Sequence, residues 1–191
     1  MRTFIAIEIP EEIKAEMAGI QDQLRSASVV DAGWTRPEGI HLTLKFLGEV
    51  PEANVPQMMN ALTAVTAGTD MFRLDLAGVG TFPNPGSARV VWIGVEGDID
   101  RLLKLQAAVE DAMDHLGFER ENRKFTPHLT LARIKFIRSR KAWLSALDSV
   151  KDIRLPSFLV NAISLMKSEL KPSGAVYTEI GRTELKKKQG T

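Results

Sequence analysis

Two identical tetrapeptides, "HLTL", stand at residues 41–44 and 128–131, 87 positions apart, and hold two of the three histidines in the chain. At average residue usage the letters "LTL" follow a given His roughly once in one to two thousand tries, so the repetition calls for a physical reason. Imidazole titrates near neutrality: of two such rings, one can accept a proton while the other, protonated, donates one. A threonine hydroxyl can donate a hydrogen bond to a non-bridging phosphate oxygen. A base on one side of phosphorus, an acid on the other and donors between them suit an in-line displacement without a metal.

Position on a strand decides whether these groups can meet. Alternate side chains of a β-strand face opposite sides. The two leucines of each "HLTL" then enter a core, while His41 and Thr43 share the other face, roughly 6–7 Å apart along the backbone. His128 and Thr130 do the same. If two lobes present those faces to each other, two imidazoles and two hydroxyls converge on one cleft, and these four residues form the expected catalytic set. Zinc is the other use of paired histidines, but such sites take three or four ligands and the chain has no Cys, so Asp or Glu would have to complete one. His115 falls on an expected helix beside Met113 and Leu116 and reads as a solvent-side residue. Neither "GxxxxGK[ST]" nor "GxSxG" occurs, and "GVG" at 78–80 reads as a strand irregularity. No metal and no cofactor is expected.

The elements that must carry the motifs follow from hydrophobic spacing. "TFIAIEI" (3–9) reads as a strand, and Pro10, Glu11 and Glu12 start a helix whose stripe is Ile13, Met17, Ile20 and Leu24. A loop with Gly33, Pro37 and Gly39 leads to the first motif strand. Pro51 and Glu52 begin a second helix with Val55, Met58, Leu62 and Val65 inward. The runs 72–82 and 88–95, joined by "PNPG", suggest a hairpin. Asp98 precedes a helix carrying Leu102, Leu105, Val109 and Met113, closed by Gly117. After the second motif come a helix with Trp143, Leu144 and Leu147 and strands near 158–166 and 175–181.

The offset of 87 extends beyond the motif: "FIAIEI" overlays "VWIGVE", 72–80 overlays 159–167, and "ARVVWIGV" overlays "AVYTEIGR". The expected fold is α+β and bilobal. Two pseudo-twofold-related lobes each have a mostly antiparallel sheet and flanking helices, with the active site in the cleft between them. Residues 1–182 form one two-lobed domain and 183–191 a basic tail, its "KKK" at 186–188 frayed.

At 191 residues, 44% hydrophobic and 26% charged, the composition is that of an ordinary globular domain. The apolar run of "MRTFIAIEIPEE" is too short for a signal peptide and no stretch reaches the length of a membrane span, so a cytoplasmic protein is expected. The net charge of +1 hides an asymmetry: residues 119–141 hold eight Lys/Arg against two Glu, a local +6. That segment contains the second motif and attracts anions, unless it is simply a solvated basic face.

At this point the residues resemble a known family. Two His-x-Thr-x motifs in a bilobal chain of this size are similar to the 2H phosphoesterases. More narrowly, "FIAIEIP", "HLTLKFLGEV", "FTPHLTLARI" and the late "AVYTEI" resemble the RNA 2′,3′-cyclic phosphodiesterases, historically called 2′-5′ RNA ligases. The resemblance implies metal-independent hydrolysis of a 2′,3′-cyclic phosphate terminus to a 2′-phosphomonoester, with reversible, ATP-independent 2′-5′ joining. It implies His41 as proton donor to the leaving 3′ oxygen, His128 as the acceptor that activates water, and Thr43 and Thr130 as phosphate ligands. Phe46 and Arg133, each five residues after a motif His, take the family's nucleobase and phosphate contacts. For Phe46 this requires a bend after Leu44, because an odd offset otherwise points to the core. Arg123, Lys124 and Arg138 would hold upstream phosphates of an RNA strand. The partner is thus an RNA or oligonucleotide with a cyclic phosphate end, met by a monomer, since a closed cleft needs only one chain. A small cyclic phosphate or a 2′-5′ oligoadenylate as substrate, and a non-catalytic nucleotide- or RNA-binding module, are the competing readings.

Overall fold

The computed structural model describes residues 1–172 and 174–187. Nine strands and four helices follow in order: β1 (Arg2–Glu8), α1 (Glu11–Ser26), β2 (Val30–Trp34), β3 (His41–Glu49), α2 (Val55–Ala67), β4 (Phe72–Phe82), β5 (Val90–Gly97), α3 (Ile99–Asp114), β6 (His128–Ile137), α4 (Arg140–Asp148), β7 (Arg154–Val160), β8 (Ala162–Lys171) and β9 (Gly174–Glu184). They form two antiparallel sheets, β3-β1-β8-β9 and β2-β6-β5-β4-β7.

The internal repeat is written into this order. β3-β1-β8 in one sheet corresponds to β6-β5-β4 in the other, so each sheet carries one motif strand. The lobes are not consecutive halves of the chain, however. β4 crosses from the first half to pair with β5, and β8 returns from the second half to pair with β1. This exchange ties the two sheets together through one continuous apolar core.

The expected helical stripes supply that core. Ile13, Met17, Ile20 and Leu24 of α1 and Leu102, Leu105, Val109 and Met113 of α3 are all buried. Glu11 and Glu12 sit in the first turn of α1, where the helix dipole favours negative charge. α3 ends on Gly117 at φ 88°, with Phe118 N–H donating to Met113 O (3.1 Å), the 6→1 bond that a left-handed residue permits.

Four expectations are corrected. The Gly33 loop is an edge strand, β2, formed by pairing with β6 despite weak local propensity. Residues 52–54 make a 3-10 turn, so α2 begins at Val55. The segment near 158–166 splits at Asn161 into β7 and β8, with Pro156 tolerated because β7 is an edge strand. The domain does not stop at residue 182: β9 runs to Glu184, Leu185 is buried, and the Lys186 backbone bonds Thr69 and Met71. An apolar anchor at Leu185 holds what charge alone suggested would fray; residues 188–191 lie outside the described ones.

Candidate active site

Each motif strand carries a β-bulge at the last leucine of "HLTL". Thr43 pairs with Ala6 and Lys45 with Ile5, leaving Leu44 unmatched. Thr130 pairs with Trp92 and Ala132 with Val91, leaving Leu131 unmatched. One extra residue reverses the alternation that follows. Phe46 and Arg133, which an unbroken strand would turn inward, therefore join the faces of His41–Thr43 and His128–Thr130, and Phe46 is 67% exposed. Lys45 and Ala132 are turned inward in exchange, both buried. A helix glutamine supports each bulge. Gln21 of α1 donates to Leu131 O (2.8 Å) and Thr35 O (2.7 Å), and Gln106 of α3 donates to Leu44 O (3.4 Å).

The two faces meet. His41, Thr43, Phe46, Arg123, Lys124, His128, Thr130 and Arg133 all line one cleft of about 1080 Å³. Arg138 is not among its lining residues: its guanidinium donates to Ser28 O (3.5 Å) and its backbone to Val29 O, at the far end of β6. Its expected place in the cleft is thus corrected, because the strand carries it past the rim.

Both histidines are aimed by the same backbone device. Nδ1 of His128 lies 2.7 Å from the Thr126 carbonyl, two residues upstream. The Gly39 backbone, 87 positions earlier, likewise hydrogen-bonds the His41 ring, and since that bond favours the charged ring the acceptor is the carbonyl. An imidazole whose Nδ1–H is committed to a carbonyl presents Nε2 on its other side. Gly39 also gives Tyr177 room, since a Cβ there would stand 3.1 Å from the tyrosine ring.

Around the rings the lobes differ. His41 stacks on Phe4 (centroids 4.5 Å apart, 25° between planes) and meets Tyr177 edge-on at 5.0 Å. Lys14 is buried behind it, its Nζ 2.9 Å from Glu11 and 3.6 Å from Glu8, the cross-strand neighbour of His41. Burial first, and the Lys14 charge second, push the His41 ring down to about 4, against the Gly39 bond. Burial likewise raises Glu8, opposed by Lys14. His128 meets the edge of Phe82 at 5.1 Å.

A buried ion pair organises the loop that brings Arg123 and Lys124 to the cleft. Lys45 Nζ bonds Glu110 Oε2 at 2.6 Å and also Glu119 O at 2.8 Å, while Glu110 accepts from the Glu121 backbone N–H at 3.4 Å. Beyond it, Arg120 pairs with Asp111 and Asp114 on α3. Lys45, Glu110, Tyr177 and Phe4 were not expected at the site. A lysine inside an apolar motif strand and a glutamate beside the stripe of α3 were the available signals for the first two.

A duplicated two-sheet fold with a His and Thr face from each sheet in a shared cleft defines the protein as a 2H phosphoesterase. The sequence matches the family described as LigT like Phosphoesterase twice, over residues 7–92 and 93–177, and the chain belongs to that family. It is 34% identical over 180 residues to the RNA 2′,3′-cyclic phosphodiesterase of Methanothermobacter thermautotrophicus, covering 94% of this chain and 96% of the relative. To the protein of that name in Methanocaldococcus jannaschii it is 35% identical, covering 94% and 98%. The crystal structure of TT0787 of Thermus thermophilus superposes with a TM-score of 0.82 at 30% identity, over 99% of this chain and 100% of that one. E. coli LigT complexed with 3′-AMP shares the fold, with a TM-score of 0.75 at 24% identity over 96% and 97%. No helix among the described residues is long and apolar enough to cross a membrane.

Proposed function

We propose that this chain hydrolyses RNA 2′,3′-cyclic phosphate ends to 2′-phosphomonoesters by a two-histidine mechanism, and that a 5′-hydroxyl attacking in place of water reversibly joins RNA ends through 2′-5′ bonds without ATP, the 3′ oxygen leaving in both cases. The observation that carries the reading is the convergence of both bulged "HLTL" strands, with Phe46 and Arg133, on one cleft. The names of the relatives point the same way.

Water attacks phosphorus opposite the 3′ oxygen. His128 takes a proton from that water as the P–O bond forms, and His41 delivers one to the 3′ oxygen as its bond to phosphorus breaks. The phosphate stays on the 2′ oxygen. Thr43 and Thr130 donate to the non-bridging oxygens, Phe46 and Arg133 hold the terminal nucleotide, and Arg123 and Lys124 attract upstream phosphates. His41 is neutral in the open cleft at pH 7, since its ring sits near 4. A bound phosphodiester anion favours the protonated ring, which takes its proton from solvent, so proton uptake accompanies binding. The chain works in this reading as a cytoplasmic monomer, its two lobes one catalytic domain.

Product analysis on a defined RNA ending in a cyclic phosphate tests the reading. A 2′-phosphomonoester formed equally well in EDTA is expected. A 3′-monoester, or no turnover by the intact protein, would refute it; turnover confined to small cyclic nucleotides would reassign the substrate.

A further inference from the structure

Beyond the rim of the cleft, β6 carries a large aromatic ring with no place in the core. Phe136 is 63% exposed and belongs to neither apolar cluster. Its direction follows from a second irregularity. Ile134 pairs with Ala32 and Phe136 with Asp31, leaving Lys135 unmatched. Alternation is reversed again. Ile134 and Ile137, three apart, both pack on the core, so Arg133 and Phe136, also three apart, share the opposite face. Two bulges on one strand thus set His128, Thr130, Arg133 and Phe136 along one line, from inside the cleft to past its edge.

The surroundings of Phe136 are cationic. Arg133 precedes it on the same face, and Lys135 and Arg138 flank it, all three exposed. Arg89 of the neighbouring chain segment donates to the Lys135 carbonyl at 3.3 Å. Asp31, its cross-strand partner, is the carboxylate on this stretch. An exposed aromatic ring among arginines and lysines is the combination that holds a single-stranded nucleic acid, by stacking a base and attracting phosphates. The other lobe offers no such surface at the equivalent place: 87 positions before Phe136 stands Glu49, 78% exposed and 3.2 Å from the N-terminal ammonium.

We propose that the outer half of β6, centred on Phe136, is a second nucleotide-binding surface, on which an upstream base of a single-stranded RNA stacks while its cyclic end occupies the cleft. This rests on the proposed function above and adds to it a direction and a preference: the strand leaves along β6, and oligonucleotides outperform mononucleotides.

The experiment measures kcat/KM of wild type and Phe136→Ala on a nucleoside 2′,3′-cyclic monophosphate and on cyclic-ended RNAs of increasing length with the same terminal nucleotide. The wild-type ratio of long to mononucleotide substrate is expected to fall about tenfold in Phe136→Ala, the loss of one stacked base. Phe136→Trp should restore it. An unchanged ratio, or a loss equal on all substrates, overturns the inference. A wild type inert on every substrate rejects the proposed function instead. Anisotropy of a labelled single-stranded RNA ending in a 2′-phosphate then decides this proposal alone: about tenfold weaker binding to Phe136→Ala supports it, and equal binding ends it.

Discussion

On β3, His41 lies flat on Phe4, is edged by Tyr177 and has the buried ammonium of Lys14 behind it; on β6, His128 meets the edge of Phe82. Yet the two strands share a tetrapeptide, a bulge at its last residue, a carbonyl two residues upstream of each His and a helix glutamine on the bulge. What is repeated is backbone geometry, which aims the side chains. What has diverged is the packing around them, which on β3 lowers the His41 ring to about 4. Two identical rings under one field would compete for the same proton state, whereas the proposed reaction needs one to accept while the other donates.

Removing one ring at a time is the most drastic way to break the comparison. His41→Ala and His128→Ala are each expected to lower kcat/KM on a cyclic-ended RNA by about 10²–10⁴-fold. The double variant should lose little more than the worse single one, because both rings serve one transition state. Losses that simply multiply, or a His128→Ala protein as fast as wild type, would show that the rings do not act as a pair.

The next difference lies one residue past each motif bulge, where Lys45 faces the core in one lobe and Ala132 in the other. Lys45→Ala would strand Glu110 without its partner and release the Glu119 carbonyl, a loss of about 3–5 kcal/mol of stability. Lys45→Met with Glu110→Leu removes both charges and should recover most of it. Chemical denaturation measures both; a single variant as stable as the double would mean that the pair contributes little.

How much of this was legible in the sequence follows from the range of the forces involved. His41, Thr43, His128 and Thr130 are placed by period-2 alternation, a local rule, and the 87-residue repeat names both sheets at once. The need for a bend after Leu44 was also readable, because Phe46 has no reason to be cleft-facing without one. The bulge itself depends on strands β1 and β5, far away in sequence, and so does the ion pair of Lys45 with Glu110, 65 residues apart. β2 escaped notice because "VDAGW" carries little strand propensity and is held by β6. Strand exchange between the halves was invisible for the same reason: periodicity says that β4 and β8 are strands but not which sheet receives them.

The charge state of His41 gives a smaller and sharper handle. Its ring sits near 4 in the open cleft, so the free protein binds no proton there at pH 7. An anion nearby favours the protonated ring and raises that value, by about 1–3 units for a close opposite charge. Inorganic phosphate should therefore bind with proton uptake. Its affinity is level below about pH 4, then falls up to tenfold per unit until the raised value is reached, apart from the ionisation of phosphate itself. Calorimetry in buffers of different ionisation enthalpy, compared with His41→Gln, measures the uptake; identical proton counts in the two proteins would contradict it.

Lys14 allows the finest cut, because it acts on His41 through charge while burial acts through solvent. Lys14→Met keeps the apolar stem and removes the ammonium, leaving desolvation as the larger cause of the depressed value. The ring is expected to titrate higher than about 4 but still below an exposed imidazole, because burial is the larger cause. Glu8 works in the same direction wherever it is ionised, since without Lys14 its carboxylate stands unopposed across the strand pair. The double variant with Glu8→Gln separates the two contributions. Imidazole nitrogen shifts followed by NMR against pH report it directly. A His41 titration unmoved by Lys14→Met would mean that burial alone distinguishes this lobe, and a return to about 6.5 would mean that burial plays no part.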